Sequence, residues 1–232
     1  MRGLIIAVDG YSSTGKSTFA RIIAEKLDLP HLDSGALYRS VTLFALERGL
    51  FTEEGHPDAP ALEAALSEGV SIGYVRRADG EGYAIHLQGE EVGDRIRTLE
   101  VSEHVSPVAA LPFVRRFVDA LLHRSGAGGC VMDGRDIGTA VFPDADLKIF
   151  MTADPRVRAR RRLLELEAKG ETADFDEVYR NVLERDYIDS HREMNPLRRA
   201  DDAVELDNSD MTVEQQVEWL AGLLRERFGI AL

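Results

Sequence analysis

The strongest constraint on the fold of this chain is a Walker A motif that lies between two regular elements. The segment Gly10–Ser17 has the spacing G-x-x-x-x-G-K-S. The apolar, β-branched run Leu4–Val8 before it predicts a buried parallel strand, and Lys16–Leu27 after it carries apolar residues at helical spacing. A strand, a glycine-containing loop and a helix in this order predict an α/β fold with the loop at the edge of a parallel sheet.

The loop has the chemistry of a phosphate-binding site. A helix N-terminus presents unpaired N–H groups and the positive end of its dipole, and Gly10 and Gly15 let the backbone approach an anion closely. Lys16 is placed to reach the outer phosphates and Ser17 to ligate Mg²⁺. We therefore predict that a nucleoside triphosphate binds to Gly10, Tyr11, Ser12, Ser13, Thr14, Gly15, Lys16, Ser17 and Thr18. The alternative, a glycine-rich turn with a solvated lysine, is disfavoured by the flanking strand and helix.

Composition limits the other classes of function. The 232 residues include 44% hydrophobic residues, enough for one large domain with a real core. A formal net charge of −13 disfavours non-specific binding to nucleic acids or anionic membranes. The single cysteine, Cys130, lies in an apolar run and is best explained as a small buried residue, so we expect no disulfides and a cytoplasmic location. The chain enters its first strand almost at once, so we expect no signal peptide, and no apolar run is long enough for a membrane span.

Apolar patterning predicts alternating strands and helices. The predicted parallel strands are Leu4–Val8, His31–Leu32, Cys130–Met132, Leu147–Met151 and Ala203–Leu206. The predicted helices are Lys16–Leu27, Ala36–Leu50, Phe113–Arg124, Pro155–Lys169, Phe175–Met194 and Val213–Phe228. Between about Ser67 and Arg97 a small antiparallel sheet is predicted from Ser71–Tyr74, Tyr83–Leu87 and Val92, with a turn at Ala78–Gly82 and a loop at Thr52–Pro60 before it.

Arginines follow two of the predicted strands. Arg39 lies shortly after the second strand and Arg135 directly after the third, where ligands bind in doubly wound sheets. Five more arginines fall within Arg156–Arg162. Together with Lys16 they could hold a second phosphate group beside the triphosphate, which suggests phosphoryl transfer between two nucleotides. The purely structural alternative for Arg39 and Arg135 is a surface salt bridge to an adjacent aspartate. For the Arg156–Arg162 cluster, it is a solvated helix face whose arginines pair with neighbouring glutamates.

A late helix carries a row of charges. Arg185, Asp189 and Arg192 share one face, beside the apolar stripe of Phe175, Val178 and Val182. Charges that point inward need partners. Either Arg185 pairs with Asp189 within the helix, or the row faces a substrate.

Several of these segments, in order along nearly the whole chain, resemble bacterial cytidylate kinases. They are Asp9–Lys16, Asp33–Arg39 (DSGALYR), Ile96–Thr98, Asp133–Thr139 (DGRDIGT) and Glu184–Asp186. The resemblance implies one domain with a P-loop kinase core, a five-stranded parallel sheet with helices on both faces, at about 1–34, 125–154 and 200–232. It also implies a monophosphate-binding region at about 35–124, which holds the antiparallel insert, and a short lid at about 155–172.

The resemblance further implies transfer of the γ-phosphate of ATP to CMP or dCMP with Mg²⁺, by a cytoplasmic monomer in pyrimidine metabolism. It implies that Lys16, Arg135, Arg161 and Arg162 are catalytic, and that Arg161 also binds ATP. The implied CMP-binding residues are Ser34, Tyr38, Arg39, Ser106, Arg115, Asp133, Gly134, Arg135, Asp136, Arg185, Asp189 and Arg192.

Within that set the resemblance implies separate roles. Arg39 and Arg135 would bind the acceptor phosphate, and Arg185 and Asp189 would lie near phosphate and sugar. The base would be read by Ser106, Arg115 and Arg192. The segment Asp207–Ser209 resembles the loop near the adenine.

The sequence departs from the family pattern in the loop, and other readings stay open. Tyr11 stands where proline is common and Ser13 where related kinases carry glycine. One alternative is a P-loop kinase for UMP, dTMP or shikimate, which the DSGALYR and DGRDIGT segments disfavour. The other is a switch or ATP sensor without transfer activity; the N-K-x-D guanine motif of GTPases does not occur in the sequence. None of the six histidines is assigned a role.

Overall fold

The computed structural model describes residues 3–78, 82–168 and 170–231. Its strands are β1 Ile5–Gly10, β2 His31–Asp33, β3 Ile72–Arg76, β4 Tyr83–Leu87, β5 Glu90–Glu91, β6 Cys130–Asp133, β7 Leu147–Thr152 and β8 Val204–Asp207. Its α-helices are α1 Lys16–Leu27, α2 Ser34–Glu47, α3 Ala59–Ser67, α4 Leu99–Ala110, α5 Pro112–Gly126, α6 Pro155–Ala168, α7 Phe175–His191 and α8 Val213–Phe228. Arg95–Arg97 forms a 3₁₀ turn and Ile137–Val141 a π-helical turn.

Five parallel strands form the central sheet, in the order β2-β6-β1-β7-β8. All six residues of β1 are buried, as expected for the middle strand of a sheet covered on both faces. Its side chains alternate between two cores. Ile5 and Ala7 pack in the core that contains α2, α4 and α5, whereas Ile6 and Val8 pack in the core that contains α1 and α8. The fold class predicted from the sequence is therefore confirmed.

The strand register brings the chemical groups of three segments to one edge. Val8 pairs with Asp133, and Asp33 also pairs with Asp133, so β1, β6 and β2 end level with one another. The Walker A loop, the start of α2 and the segment after β6 leave the sheet at this edge. Ligands bind outside the carboxyl ends of parallel strands, so this edge is where a site is expected.

The antiparallel insert is confirmed as a three-stranded sheet in the order β3-β4-β5. Val92 lies just beyond β5 and is buried. The Tyr74 hydroxyl donates a hydrogen bond of 2.7 Å to the Asp33 carbonyl, which ties this sheet to the end of β2. Of the predicted turn at Ala78–Gly82, residues 79–81 lie outside the described residues, as does Lys169 at the end of one predicted helix.

All five predicted parallel strands and all six predicted helices form, with ends shifted by up to three residues. Two helices, α3 and α4, were missed, and the predicted loop at Thr52–Pro60 is wrong in its last two residues. Proline caused both misses: Pro60 lies in the first turn of α3, where no N–H is needed, and Pro107 lies inside α4. Within the described residues, no helix is long and apolar enough to cross a membrane.

Candidate active site

One cavity of about 620 Å³ lies at the carboxyl edge of the sheet. Its wall combines the Walker A loop, the start of α2, the α4 face, the segment after β6, the end of α6 and the inner face of α7. Cationic side chains outnumber acidic ones in its lining: Lys16, Arg39, Arg97, Arg135, Arg162, Arg185 and Arg192, against Asp33, Asp133, Asp136, Glu165 and Asp189. A cavity of this kind, in a protein with a net charge of −13, is built to hold anions.

The Walker A loop forms one end of the cavity. Gly15 has a φ of 87°, a left-handed conformation that turns the chain into α1 at Lys16. The Lys16 ammonium is buried and donates to the Tyr11 carbonyl and, at 3.4 Å, to Thr14 Oγ1. Burial, and then the charge of Arg135, lowers the pKa of Lys16 well below its usual value. Because burial disfavours the charged form of Lys16, a bound anion would stabilise the ammonium group.

A buried ion pair holds the loop from behind. Asp186 of α7 accepts hydrogen bonds from Ser12 N at 3.0 Å and Ser12 Oγ at 2.9 Å. Its second oxygen pairs with Arg158 Nη1 at 2.5 Å, and that nitrogen also donates to the Ser12 carbonyl at 3.0 Å. The Arg158 guanidinium stands over the Tyr11 ring, 5.3 Å from its centroid. Thus α6 and α7 set the conformation of the loop at Tyr11 and Ser12.

The rest of the arginine cluster has mixed surroundings. Arg161 donates to Oδ1 and the carbonyl of Asn208 at 2.9 and 2.8 Å, and the Asn208 amide donates to Thr14 O at 2.8 Å. Arg162 lines the cavity and pairs with Glu165 at 3.2 Å. Arg156 stands over the Tyr179 ring. The cluster is therefore divided between support of the loop and the lining of the cavity. Within the described part of the chain, Arg162 and Glu165 form its one ion pair with a neighbouring glutamate.

Ser17 faces the cavity beside a carboxylate. Its hydroxyl donates to Asp133 Oδ2 at 2.6 Å, and Asp133 Oδ1 lies 2.7 Å from His31 Nε2. A hydroxyl and a carboxylate at the phosphate end fit Mg²⁺, which binds through one or two protein oxygens together with phosphate oxygens and water. Among the described residues, no group of three or more His, Cys, Asp or Glu side chains could form a metal site without such a ligand.

A second buried aspartate stabilises the turn after β6. Asp9 accepts hydrogen bonds from Ile137 N at 2.8 Å and Gly138 N at 2.7 Å. A Cβ at Gly138 would lie 3.1 Å from the Lys148 side chain and 3.4 Å from Asp9 Oδ2, so the close approach favours glycine. Burial raises the pKa of Asp9 to about 7 despite the two N–H donors. This carboxylate therefore fixes where Gly134–Asp136 enters the cavity.

The far end of the cavity is built by side chains from distant segments. Arg39 donates to Ser102 Oγ at 2.9 Å and to the Ile96 carbonyl at 3.3 Å. Arg135 Nε donates to Asp189 Oδ2 at 2.8 Å. Neither arginine pairs with the aspartates next to it in sequence, so the alternative of adjacent surface salt bridges does not apply.

Three charged groups form a buried cluster at this end. Asp136 accepts from Arg115 Nη2 at 2.5 Å and from Arg192 Nη2 at 3.1 Å. Arg192 also donates to Asp189 at 3.4 Å, whereas the fully buried Arg115 stands over the Tyr38 ring. Asp136 and Arg192 line the cavity, and Arg115 lies behind Asp136. The network therefore orients Asp136 and Arg192 before a ligand arrives.

Arg185 distinguishes the two interpretations of the α7 row. Asp189 makes its ion pairs with Arg135 and Arg192, which leaves the alternative of an Arg185–Asp189 pair unsupported. Arg185 Nε is buried without a hydrogen-bond partner among the described residues. Burial, and then the charges of Arg135 and Arg39, lowers the pKa of Arg185 to about 10. Three guanidiniums close together, one with a buried Nε that lacks a partner among the described residues, indicate a site for an anion such as a phosphate.

Most of the residues predicted from the sequence share this one cavity. Its wall includes Ser13, Gly15, Lys16, Ser17, Thr18, Ser34, Tyr38, Arg39, Ser106, Asp133, Gly134, Arg135, Asp136, Arg162, Arg185, Asp189 and Arg192. The remaining predicted residues lie behind or beside that wall: Gly10, Tyr11, Ser12, Thr14, Arg115 and Arg161. Sequence reasoning missed the support given by His31, Ser102 and Asn208. For Asp186 a signal existed, since it lies four residues after Val182 on the inward face of α7.

The parallel sheet, the Walker A loop and an anion-binding cavity beside it define a P-loop phosphotransferase. Comparison of sequences then identifies the family: the family model described as cytidylate kinase matches residues 6–226. The chain belongs to the cytidylate kinase family.

Curated relatives are similar over their whole length. A cytidylate kinase of Bacteroides thetaiotaomicron is 48% identical over 99% of this chain and 98% of its own. A cytidylate kinase of Parabacteroides distasonis is 50% identical over 95% of this chain and 96% of its own. Among solved structures, a shikimate kinase of Bacteroides thetaiotaomicron aligns with 98% of this chain and 99% of its own at 16% identity, with a TM-score of 0.44.

Proposed function

We propose that this protein transfers the γ-phosphoryl group of ATP to CMP, with ADP and CDP as products. The observation that carries the proposal is the cavity with a cationic group at each end. Lys16 and the Walker A loop form one end, and Arg185, whose Nε has no hydrogen-bond partner among the described residues, forms the other with Arg39 and Arg135. Membership of the cytidylate kinase family supports CMP as the acceptor.

At the donor end, backbone N–H groups of the loop and the α1 N-terminus bind the β- and γ-phosphates. Lys16 binds the γ-phosphate, and its burial makes its charge most effective when that anion is present. Ser17 would hold Mg²⁺, with Asp133 orienting its hydroxyl. When bound there, the ion would neutralise negative charge on the phosphate oxygens. Arg162 reaches the same space from α6, and Arg161, also on α6, acts beside it while its guanidinium is held by Asn208.

At the acceptor end, Arg39, Arg135 and Arg185 bind the phosphate of CMP. Cytosine presents an N4 amino donor beside the N3 and O2 acceptors. The Asp136 carboxylate is suited to the donor, and Ser106 and Arg192 are suited to the acceptors. Arg115 contributes by holding Asp136. Asp189 lies between the phosphate and base groups, where it can accept a hydrogen bond from the sugar, and we infer that dCMP is also accepted.

The reaction needs no general base. The second pKa of a phosphate monoester is about 6, so an acceptor oxygen is already ionised at neutral pH. That oxygen forms the new bond to the γ-phosphorus as the bond from the γ-phosphorus to the bridging oxygen breaks, and the electron pair leaves on ADP. Catalysis then consists of alignment and cationic stabilisation by Lys16, Arg135 and Arg162.

We also infer how the regions divide the work. The segments at about 1–34, 125–154 and 200–232 act as the core, 35–124 as the monophosphate-binding region and 155–172 as a lid that excludes water from the cavity. A single buried cysteine, Cys130, suits a reducing cytoplasm, where we place the enzyme as a monomer in pyrimidine nucleotide metabolism.

The test is a coupled ADP-release assay with ATP and Mg²⁺, in which CMP, dCMP, UMP, AMP, dTMP and shikimate are offered separately. We expect rapid turnover with CMP and dCMP and little with the others. The Lys16→Met variant and an assay without acceptor measure the background. Turnover with a different acceptor would leave phosphoryl transfer intact but contradict the assignment of the base site. Tight ATP binding without any turnover would favour a sensor.

A further inference from the structure

The Arg192 guanidinium is held mainly by one backbone carbonyl. Its Nε and Nη2 donate to the Asn195 carbonyl at 2.8 and 2.6 Å, the shortest of its contacts. Arg192 is the C-cap of α7: its backbone N–H donates to the Ile188 carbonyl at 3.0 Å, and the chain leaves the helix at this residue. The direction of this guanidinium therefore depends on the position of the turn that carries Asn195.

That turn has an unusual backbone. Asn195 has a φ of 51°, in the left-handed region that asparagine enters more readily than other residues with a Cβ. Its side chain reaches away from the cavity, and Nδ2 donates to Asp119 Oδ2 on α5 at 3.2 Å. Asp119 is not part of the cavity wall. A contact between residues 76 positions apart thus ties the Arg192 turn to a helix that belongs to another part of the fold.

Charge gives Asp119 a second connection to this end of the cavity. Asp136 on the segment after β6, Arg115 and His123 on α5, and Arg192 all face its carboxylate. The guanidiniums of Arg115 and Arg192 share Asp136, and Arg192 also pairs with Asp189. An ionised Asp119 supplies a further negative charge beside these two cations.

We propose that Asp119 is a positioning residue for the acceptor site: through the side chain of Asn195 it holds the turn whose carbonyl orients Arg192. Asp119 acts on CMP binding without touching CMP. The proposal rests on the proposed function, because Arg192 is assigned there to the cytosine edge. Asp119 and Asn195 would thus affect CMP binding although neither residue lines the cavity.

The titration of Asp119 follows from the same surroundings. Burial, and then the charge of Asp136, raises the pKa of Asp119 to about 6, whereas Arg115 opposes the shift. The carboxylate is therefore charged above about pH 6 and becomes neutral as the pH falls through that value. A neutral carboxyl accepts more weakly from Asn195 and no longer balances the two guanidiniums. We expect the KM for CMP to rise below pH 6 for this reason, in addition to any titration of CMP itself.

A double-mutant cycle tests the link. Asp119→Ala removes the acceptor, and Asn195→Gly removes the donor while glycine retains the left-handed backbone and the carbonyl that Arg192 needs. Each change is expected to raise the KM for CMP about fivefold, as the loss of one net hydrogen bond would, with the KM for ATP unchanged. Because both break the same link, the double variant should be no worse than the worse single variant. Asp119→Asn keeps an acceptor but not the charge, so its KM for CMP near pH 7 should lie between those of the wild type and Asp119→Ala, at the raised value that the wild type reaches below pH 6.

The controls separate this link from folding and from the proposed function. Arg116→Ala removes an exposed charge from the same helix and should leave both KM values unchanged. Between pH 5 and 8, the wild type but not Asp119→Asn should show a step in the KM for CMP near pH 6; titration of CMP is common to both. An unchanged KM in Asn195→Gly, or additive effects in the double variant, would overturn the link. A wild type that does not turn over CMP would instead contradict the proposed function.

Discussion

The two ends of the cavity are built on different principles. The donor end comes from consecutive residues, Gly10–Thr18, and consists largely of backbone groups. The acceptor end comes from side chains separated by up to 63 residues in a single contact, as between Arg39 and Ser102. A loop of backbone groups recognises any triphosphate, whereas paired side chains in fixed directions can distinguish one base from another. The groups that bind the triphosphate are thus physically separate from the groups that select the acceptor base. A mutation at one end should therefore affect the binding of one substrate more than the other.

The largest expected effect is the loss of turnover in Lys16→Met. Lys16 is buried at the donor end and supplies charge that matters most in the transition state, so kcat should fall by about 10²-fold or more. The fold should survive, which circular dichroism and thermal unfolding would show. Lys26→Met changes an exposed lysine of the same helix and should be silent. A near-normal kcat in Lys16→Met would contradict the placement of the triphosphate.

The second effect should be confined to the acceptor end. Arg192→Met removes a guanidinium that lines the cavity and pairs with Asp136, and the KM for CMP should rise about tenfold or more. The KM for ATP should change less than twofold. Steady-state kinetics with either substrate varied would measure the ratio, with the exposed Arg198→Met as the control. Equal weakening of both substrates would remove Arg192 from the base site.

The converse effect is expected at the donor end. Asp186→Asn keeps an oxygen for the Ser12 donors but leaves Arg158 without its buried ionic partner. Breaking a buried pair costs about 3 kcal/mol, so the unfolding temperature should fall. The KM for ATP should rise several-fold because Ser12 and Tyr11 are less well held, whereas the KM for CMP should not.

The neighbouring Glu184→Gln, an exposed change on the same helix, provides the matched control. If Asp186→Asn weakened CMP as much as ATP, the two ends would not be separable in the way that the contacts suggest. If Asp186→Asn were less stable but had unchanged kinetics, the Asp186–Arg158 pair would stabilise the fold without affecting ATP binding.

The smallest expected effect is a pH dependence of stability at His31. Burial, the largest single effect, lowers the pKa of His31, but the hydrogen bond to Asp133 and the charges of Asp133 and Asp33 together outweigh it, so the net shift of the pKa is upward. A histidine with a raised pKa stabilises the folded state below its unfolded pKa, and the contribution is lost as the pH rises through the folded pKa. The advantage of wild type over His31→Gln in unfolding free energy should therefore be larger at pH 5.5 than at pH 8.5, and below about 2 kcal/mol.

Chemical denaturation at the two pH values would measure this difference. His56→Gln, in an exposed loop, should show no such trend. An advantage that grows with rising pH would contradict the role of Asp133 as the partner that raises the His31 pKa.

The fold was predictable because its signals are local. The period of apolar residues and the Walker A loop predicted all five parallel strands, and α1 has the predicted bounds. The failure to predict α3 and α4 also has a local cause, since each helix contains a proline, Pro60 or Pro107, which normally indicates a break in a helix. Proline is compatible with a first turn, and tertiary packing tolerates it inside α4, where Val105 and Val108 are buried.

For the candidate site, the sequence predicted which residues line the cavity but not how they pair with one another. Residue types near strand ends, together with the family resemblance, selected most of the residues that now line one cavity. The partners could not be predicted, because Asp189 pairs with Arg135 across 54 positions rather than with Arg185 four positions away. Sequence spacing predicts contacts within a helix, whereas ion pairs between elements depend on their packing. Asp119 and Asn195 carry no motif, and only their contact reveals them.

Phosphoryl transfer from ATP to CMP can be tested most directly by following the phosphorus signals of both nucleotides in one sample. ³¹P NMR of the enzyme with ATP, Mg²⁺ and CMP would resolve the products as they form. We expect CDP and ADP to appear in equal amounts while CMP and ATP decline together, and Lys16→Met to slow the formation of both products by about 10²-fold or more. Formation of ADP and inorganic phosphate, with CMP unchanged, would contradict transfer to CMP, because the second end of the cavity would then not present an acceptor to the first.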